Sequence, residues 1–179
     1  MRHALARQDQ ARRARVVLQR VTPRDGRLDR IDRHRVSGKH AIIDYKTGKM
    51  IYRWGNPSAY GQGEKPSWYN NGDQKVFGSH SATYVGKDRY MVFDNGSERA
   101  EGNRSSIVIV DRKTNEIVWE YHTNTSQSFY SFRQGAVQML PNGNVHVTST
   151  NSGHLFEVTE DKKVVWDYVS PVFDNKIKC

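Results

Sequence analysis

The chain has 179 residues, a net charge of +9 and one cysteine, the terminal Cys179. That is enough for one domain with a core, and it excludes an internal disulfide or a cysteine-built metal site. The best apolar run is residues 107–110, far short of the roughly 18 that a membrane-spanning helix takes, and a mean hydropathy of −0.82 is polar for a folded chain.

The charge is unevenly placed. Residues 1–36 hold 11 arginines, no lysine and 4 aspartates, so +7 of the +9 belongs to them. The body is nearly neutral, whereas a fold that grips a polyanion spreads Lys and Arg over a structured face. Nucleic acid is therefore not an expected partner. The segment reads as an Arg-rich basic N-terminal arm, disordered or helical, with a helix open to residues 4–21 and a stop at Pro23. It lacks the apolar core of a secretory signal. A solvated arm, a misread gene start, and an arm for an acidic polymer or membrane surface remain three readings of it; no function is built on it.

From Ser37 the pattern turns to short strands. His40 to Tyr45, a turn over residues 46–49, and Met50 to Trp54 form a hairpin. The unit returns at 107–121 and again at 155–168. Gly48 and Asn115 fall at the same place in their turns, and both tolerate positive φ. Trp119-Glu120-Tyr121 and Trp166-Asp167-Tyr168 match almost letter for letter, 47 residues apart. A second kind of hairpin precedes each of the last two copies, at 80–94 and 134–148. The pairs make two four-strand modules, 78–122 and 133–171, while 37–54 is half of a third and 55–77 is a loop. Four strands per repeat of about 40–50 residues mark a β-propeller. The predicted fold is all-β: a partial β-propeller of four-stranded antiparallel blades over 37–179, about two and a half of them. Propellers close with roughly 4–8 blades, so missing blades or self-association is implied. The apolar run 107–110 suits a strand buried on both faces.

The organising stretch is residues 77–99. In an antiparallel hairpin the start of one strand lies beside the end of the next, so His80 and the Asp94-Asn95-Gly96…Arg99 loop are expected at one edge. An imidazole and a guanidinium brought together there suit an anionic group. The 55–77 loop carries Tyr60, Trp68 and Tyr69, which either cover a pocket or pad the gap beside a blade. His40, His122 and His146 show no ligand spacing, and no metal or phosphate-loop motif occurs. Neither a cofactor nor a metal is expected. The triplets at Asn95, Asn103 and Asn124 match the glycosylation pattern, which is common by chance.

Several runs resemble the bacterial arylsulfate sulfotransferases: Tyr52-Arg53-Trp54-Gly55-Asn56-Pro57, Phe77-Gly78-Ser79-His80, Val92-Phe93-Asp94-Asn95-Gly96, Leu140-Pro141-Asn142-Gly143-Asn144, and Phe156-Glu157-Val158-Thr159 with Val165-Trp166-Asp167-Tyr168. The likeness covers about residues 37–173. It implies a six-bladed propeller that moves a sulfuryl group from an aryl sulfate to a phenol in two steps, through a sulfated histidine. By motif, His80 matches a channel histidine and Arg99 a sulfate-facing arginine. The sulfated histidine is expected near Gly153. His154 lies about two positions from that place and Ser152 occupies it; such a shift keeps the facing but moves the group by about 7 Å. The resemblance makes His80, Arg99 and His154 the catalytic candidates, and Asn95, Trp54, Tyr60 and Trp68 the substrate-binding ones. The implied small-molecule partners are an aryl sulfate and a phenol. The family is commonly periplasmic or secreted, though this sequence carries no signal, so the compartment is not readable. A non-catalytic propeller fragment acting as a binding module, and a quinone-cofactor propeller, are the alternatives.

Overall fold

The computed structural model describes residues 14–16, 40–44, 47–124 and 128–172. The protein is all-β and antiparallel. β1 (Ala14–Val16), β2 (His40–Asp44) and β3 (Met50–Trp54) form a three-stranded sheet in that order. β4 (His80–Gly86), β5 (Arg89–Asp94), β6 (Ser106–Asp111) and β7 (Ile117–Tyr121) form a four-stranded meander. β8 (Ala136–Met139), β9 (Val145–Ser149), β10 (His154–Val158) and β11 (Val164–Val169) form a second one. We call these the first, middle and last sheets. Most of the Arg-rich arm lies outside the described residues. At Ala14–Val16, where the sequence allowed a helix, the chain is extended: Arg15 pairs with Ile43 in β2. Val16 is β-branched, which suits a strand better than an isolated helix.

The middle sheet is packed on both faces. Met91, Phe93 and Ile107 join Val137, Val145, Val147, Phe156 and Val158 in a core between it and the last sheet. Tyr90, Val92, Val108 and Val110 join Ile42, Trp54 and Val76 in a core toward the first sheet. Side chains alternate faces along a strand, so a continuous apolar run is what a strand between two cores needs. Phe129, from the connection after β7, meets Phe93 and Phe156 edge-on at 5.7 and 5.2 Å. That aromatic cluster closes one end of the core between the middle and last sheets.

Indoles tie neighbouring sheets together. Trp54 Nε1, on β3, donates to the Asn115 carbonyl in the β6–β7 turn at 3.2 Å. Trp119 Nε1, on β7, donates to the Glu160 carbonyl in the β10–β11 turn at 2.8 Å. Asn115 and Lys162 take left-handed φ of 63° and 68° in those two turns, matching Gly48 at 67°. On the outermost strand, β11, Val164, Val165, Trp166, Tyr168 and Val169 are all exposed.

Meander topology fixes where chemistry can collect. The start of β4, the β5–β6 connection and the end of β7 share one end of the middle sheet. The start of β8, the β9–β10 connection and the end of β11 share the corresponding end of the last sheet. The other ends are tight turns.

Candidate functional site

His80 starts β4 and pairs with Phe93 on β5. Directly opposite residues of an antiparallel pair share a face, and Phe93 lies in the core toward the last sheet. His80 therefore stands on that same side. Its Nδ1 lies 2.6 Å from Asn95 Oδ1 and 3.0 Å from the Gly78 carbonyl. Asn95 Nδ2 is committed as a donor to the carbonyls of Ser131 at 2.7 Å and Gln134 at 2.6 Å. The amide oxygen is then the face turned to His80. Both groups at Nδ1 are acceptors, so Nδ1 carries the ring proton and Nε2 keeps a bare lone pair in the neutral imidazole.

Asn95 is fully buried, as are Ser105 and Ser131. Ser105 Oγ donates to the Asn95 carbonyl and accepts from Ser131 N, both at 2.9 Å. Ser131 Oγ reaches Asn151 Oδ1 at 2.8 Å. A chain of polar contacts, buried at Asn95 and Ser131 and open to solvent at its ends, thus runs from His80 to the turn just before His154. A fully satisfied network of this kind holds its members in one arrangement.

One residue earlier, Asp94 leaves the strand on the opposite face. It is fully buried. Its Oδ1 accepts from Phe77 N at 2.5 Å and Gly96 N at 3.2 Å, and its Oδ2 pairs with Arg99 Nη2. Burial pushes the Asp94 carboxyl up to about 6, against the downward pull of Arg99 and the two N–H groups. The Arg99 guanidinium is itself largely buried, lies 4.8 Å above the Phe77 ring, and reaches Glu101 at 3.5 Å. So His80 and Arg99 occupy the same end of the sheet, but His80 is held by Asn95 and Arg99 by Asp94; among the described residues no contact joins the two.

His154 starts β10 with Nε2 2.5 Å from Asp167 Oδ2, and its ring lies 4.8 Å from that of Phe156. Trp54 is buried, packed toward the middle sheet and tied to Asn115. Tyr60 sits beneath the Arg53 guanidinium at 4.2 Å. Trp68 and Tyr69 are exposed on the loop that follows. That loop is ordered. Asn56 Nδ2 donates to Gln74 Oε1 at 3.0 Å, closing its base, which gives the Gly-Asn-Pro motif a structural task. Asn71 ties it to the Arg99 turn by bonds to Glu101 Oε2 at 2.6 Å and from Ala100 N at 2.9 Å.

Sequence reading missed two partners. Asp167 was visible only as part of the Trp-Asp-Tyr repeat. Arg133, in the connection between the two four-stranded sheets, is exposed, with its backbone N–H on Asn151 Oδ1 at 2.9 Å and its guanidinium 5.5 Å from the Phe132 ring. No carboxylate pairs with it among the described residues. His40 is buried, with Nε2 2.8 Å from Ser79 Oγ, and burial lowers its ring to about 4. Among the described residues no three His, Cys, Asp or Glu side chains converge as a metal site needs, and no helix is long and apolar enough to cross a membrane.

These features define an antiparallel all-β protein with His80 and His154 at the end where its two four-stranded sheets are joined, Arg133 in the connection between them, and Arg99 held on the other face of the middle sheet. Residues 58–171 match the family model described as arylsulfotransferase (ASST). The chain belongs to that family. Among solved structures it is similar to a protein of unknown function from Bacteroides caccae, at 15% identity and a TM-score of 0.38, over 73% of this chain and 54% of that one. The chain thus spans about half the length of that relative. No curated protein matches it.

Proposed function

We propose that this chain is a sulfuryl-transfer module acting on an aryl sulfate and a phenolic acceptor through His80. The observation that carries the reading is the locked ring: Nδ1–H is spent on Asn95 and Gly78, which leaves Nε2 as a nitrogen nucleophile. In the first step Nε2 attacks sulfur, the S–O(aryl) bond breaks and its electron pair leaves with the aryl oxygen. In the second the acceptor oxygen attacks sulfur, the N–S bond breaks and its pair returns to Nε2. Charge spreads over the sulfuryl oxygens in both steps, so fixed donors lower both barriers. Arg133, which no carboxylate engages among the described residues, is the candidate donor to those oxygens. Arg99, already shared with Asp94 and Glu101, adds positive charge and braces the turn. Asn95 orients His80, and Tyr60 and Trp68 are the aromatic candidates for the aryl ring; Trp54, buried and spent on the Asn115 carbonyl, is not among them.

The architecture proposed is a partial propeller. The inner strands β4 and β8 touch through Ser81 Oγ and Val137 N at 3.1 Å, and the indole ties repeat from sheet to sheet. Continuing that series would cover the exposed face of the last sheet, by further blades of a longer chain or by a second copy.

The test is release of nitrophenol from 4-nitrophenyl sulfate with phenol as acceptor, with mass spectrometry of the trapped enzyme. A sulfated peptide bearing His80, and loss of about 10³-fold or more in His80→Ala, are expected. A folded chain that turns nothing over defeats the reading. The non-catalytic binding module is favoured by one observation, the engagement of Arg99 by Asp94. It predicts aryl sulfate binding by calorimetry with no turnover.

A further inference from the structure

We propose that Asp167 is a positioning residue for His154, and that His154 Nδ1 is the base that takes the proton of the acceptor phenol. This rests on the sulfuryl-transfer reading above. A carboxylate only accepts, so with Asp167 Oδ2 at 2.5 Å from Nε2 the ring proton sits on Nε2. The lone pair of the neutral ring is then on Nδ1, which has no partner among the described residues. Phe156, buried in the core, meets the ring at 4.8 Å and 34° and fixes its plane. About a fifth of the His154 side chain stays exposed, so the ring is reachable.

Placement gives the pair its relation to His80. His154, Phe156 and Val158 alternate onto the face of the last sheet that packs on the middle one. His80, opposite Phe93, stands on the facing side of the middle sheet. Both lie at the end where Asn95, Ser131 and Asn151 join the two sheets. Asp167 is paired across the strand with Phe156 and so shares the face of His154.

The chemistry needs such a group. When the phenol oxygen attacks the sulfur of sulfated His80, its proton must leave as the N–S bond breaks. His154 Nδ1 takes that proton, becomes an imidazolium held by Asp167, and later gives it to water. A well-placed base of this kind is worth about 10²–10⁴-fold.

The experiment uses the full chain and three variants: Asp167→Ala, Asp167→Asn and His154→Gln. Asp167 is more than half exposed, so its loss spares the core. Long-range proton–nitrogen NMR on the ring should show Nε2–H in the parent chain and a mixture of tautomers in Asp167→Ala. Turnover should fall about tenfold or more in kcat with KM little changed. Asp167→Asn, whose amide oxygen still accepts from Nε2–H, should recover most of it. An Nδ1–H tautomer in the parent chain, or full kcat in Asp167→Ala, overturns this inference while leaving His80 chemistry standing. Absence of turnover in the parent chain overturns the base role together with the proposed function, and the two failures are thus told apart.

Discussion

Asn95→Ala isolates the buried network beneath His80. The substitution frees the Gln134 carbonyl, which has no other described donor, and takes one of two acceptors from His80 Nδ1 and one donor from Ser131 O. Gln134 is exposed, so water can take up its freed carbonyl, and each of the three lost or weakened bonds costs about 0.5–1.5 kcal/mol. The sum is a loss of about 1.5–4.5 kcal/mol, or roughly 3–18 °C in Tm for a chain of this size. Asn95→Asp separates volume from hydrogen bonding: it keeps the shape but turns a carboxylate oxygen toward two carbonyl oxygens, and should cost more than the alanine. Urea unfolding at fixed pH, with unchanged m confirming an unchanged transition, measures both. A loss below about 1 kcal/mol in each variant would refute the assignment of Asn95 as the hub of this network.

Gly96→Ala should prevent folding or cost at least about 3 kcal/mol, because its Cβ would lie 1.6 Å from the Arg104 carbonyl at φ +65°; circular dichroism and thermal melting read this directly. Trp119→Phe removes the donor to Glu160 and should cost about 0.5–1.5 kcal/mol in urea unfolding, whereas Trp166→Phe should cost close to nothing as long as the last sheet stays uncovered. His40 is lowered from 6.5 to about 4, so the unfolded chain binds more protons between those values, and stability present above pH 6.5 is lost as pH falls toward 4. The loss from this group is about 3 kcal/mol; His40→Gln should lack it when unfolding is compared at pH 7 and pH 4, with Asp94, whose raised carboxyl acts in the opposite direction, common to both chains. Arg133→Ala should lower kcat/KM for the aryl sulfate about 10²-fold with stability unchanged, and an unaltered value would remove Arg133 from the site.

The strands were legible because their periodicity is local. Residues 107–110 read as buried on both faces, and the structure packs Ile107 toward one sheet and Val108 and Val110 toward the other. The turn residues Gly48 and Asn115 announced their hairpins through backbone preference, whereas Lys162 takes the same left-handed φ with no such preference. Partners were less legible. Nothing local told that Arg99 would be engaged by Asp94, since the decisive fact is that Asp94 is buried facing the loop. Asp167 looked like one letter of a repeat until strand register placed it diagonally from His154. The acceptors for Asn95 come from Ser131 and Gln134, 36 and 39 residues away, a distance no pattern of period two can span. The strand at Ala14–Val16 depended on an open edge at β2, which the Arg-rich composition does not reveal.

The Asp-Asn-Gly motif acquires a physical meaning from these contacts. Consecutive residues at a strand end point to opposite faces, so one step of the chain serves two sheets. Asp94 gathers Phe77 N and Arg99 on one side, and Asn95 gathers His80, Ser131 and Gln134 on the other. Gly96 then turns back under the Arg104 carbonyl, where no side chain fits, and its N–H returns to the Phe77 carbonyl at 2.8 Å. Phe77 is thereby held by both backbone groups, and Gly78, Ser79 and His80 follow from a fixed point. The imidazole is set by the far strand of its own hairpin. A change at Asp94 or Gly96 should consequently reach His80 through the backbone of residues 77–80 without touching its ring.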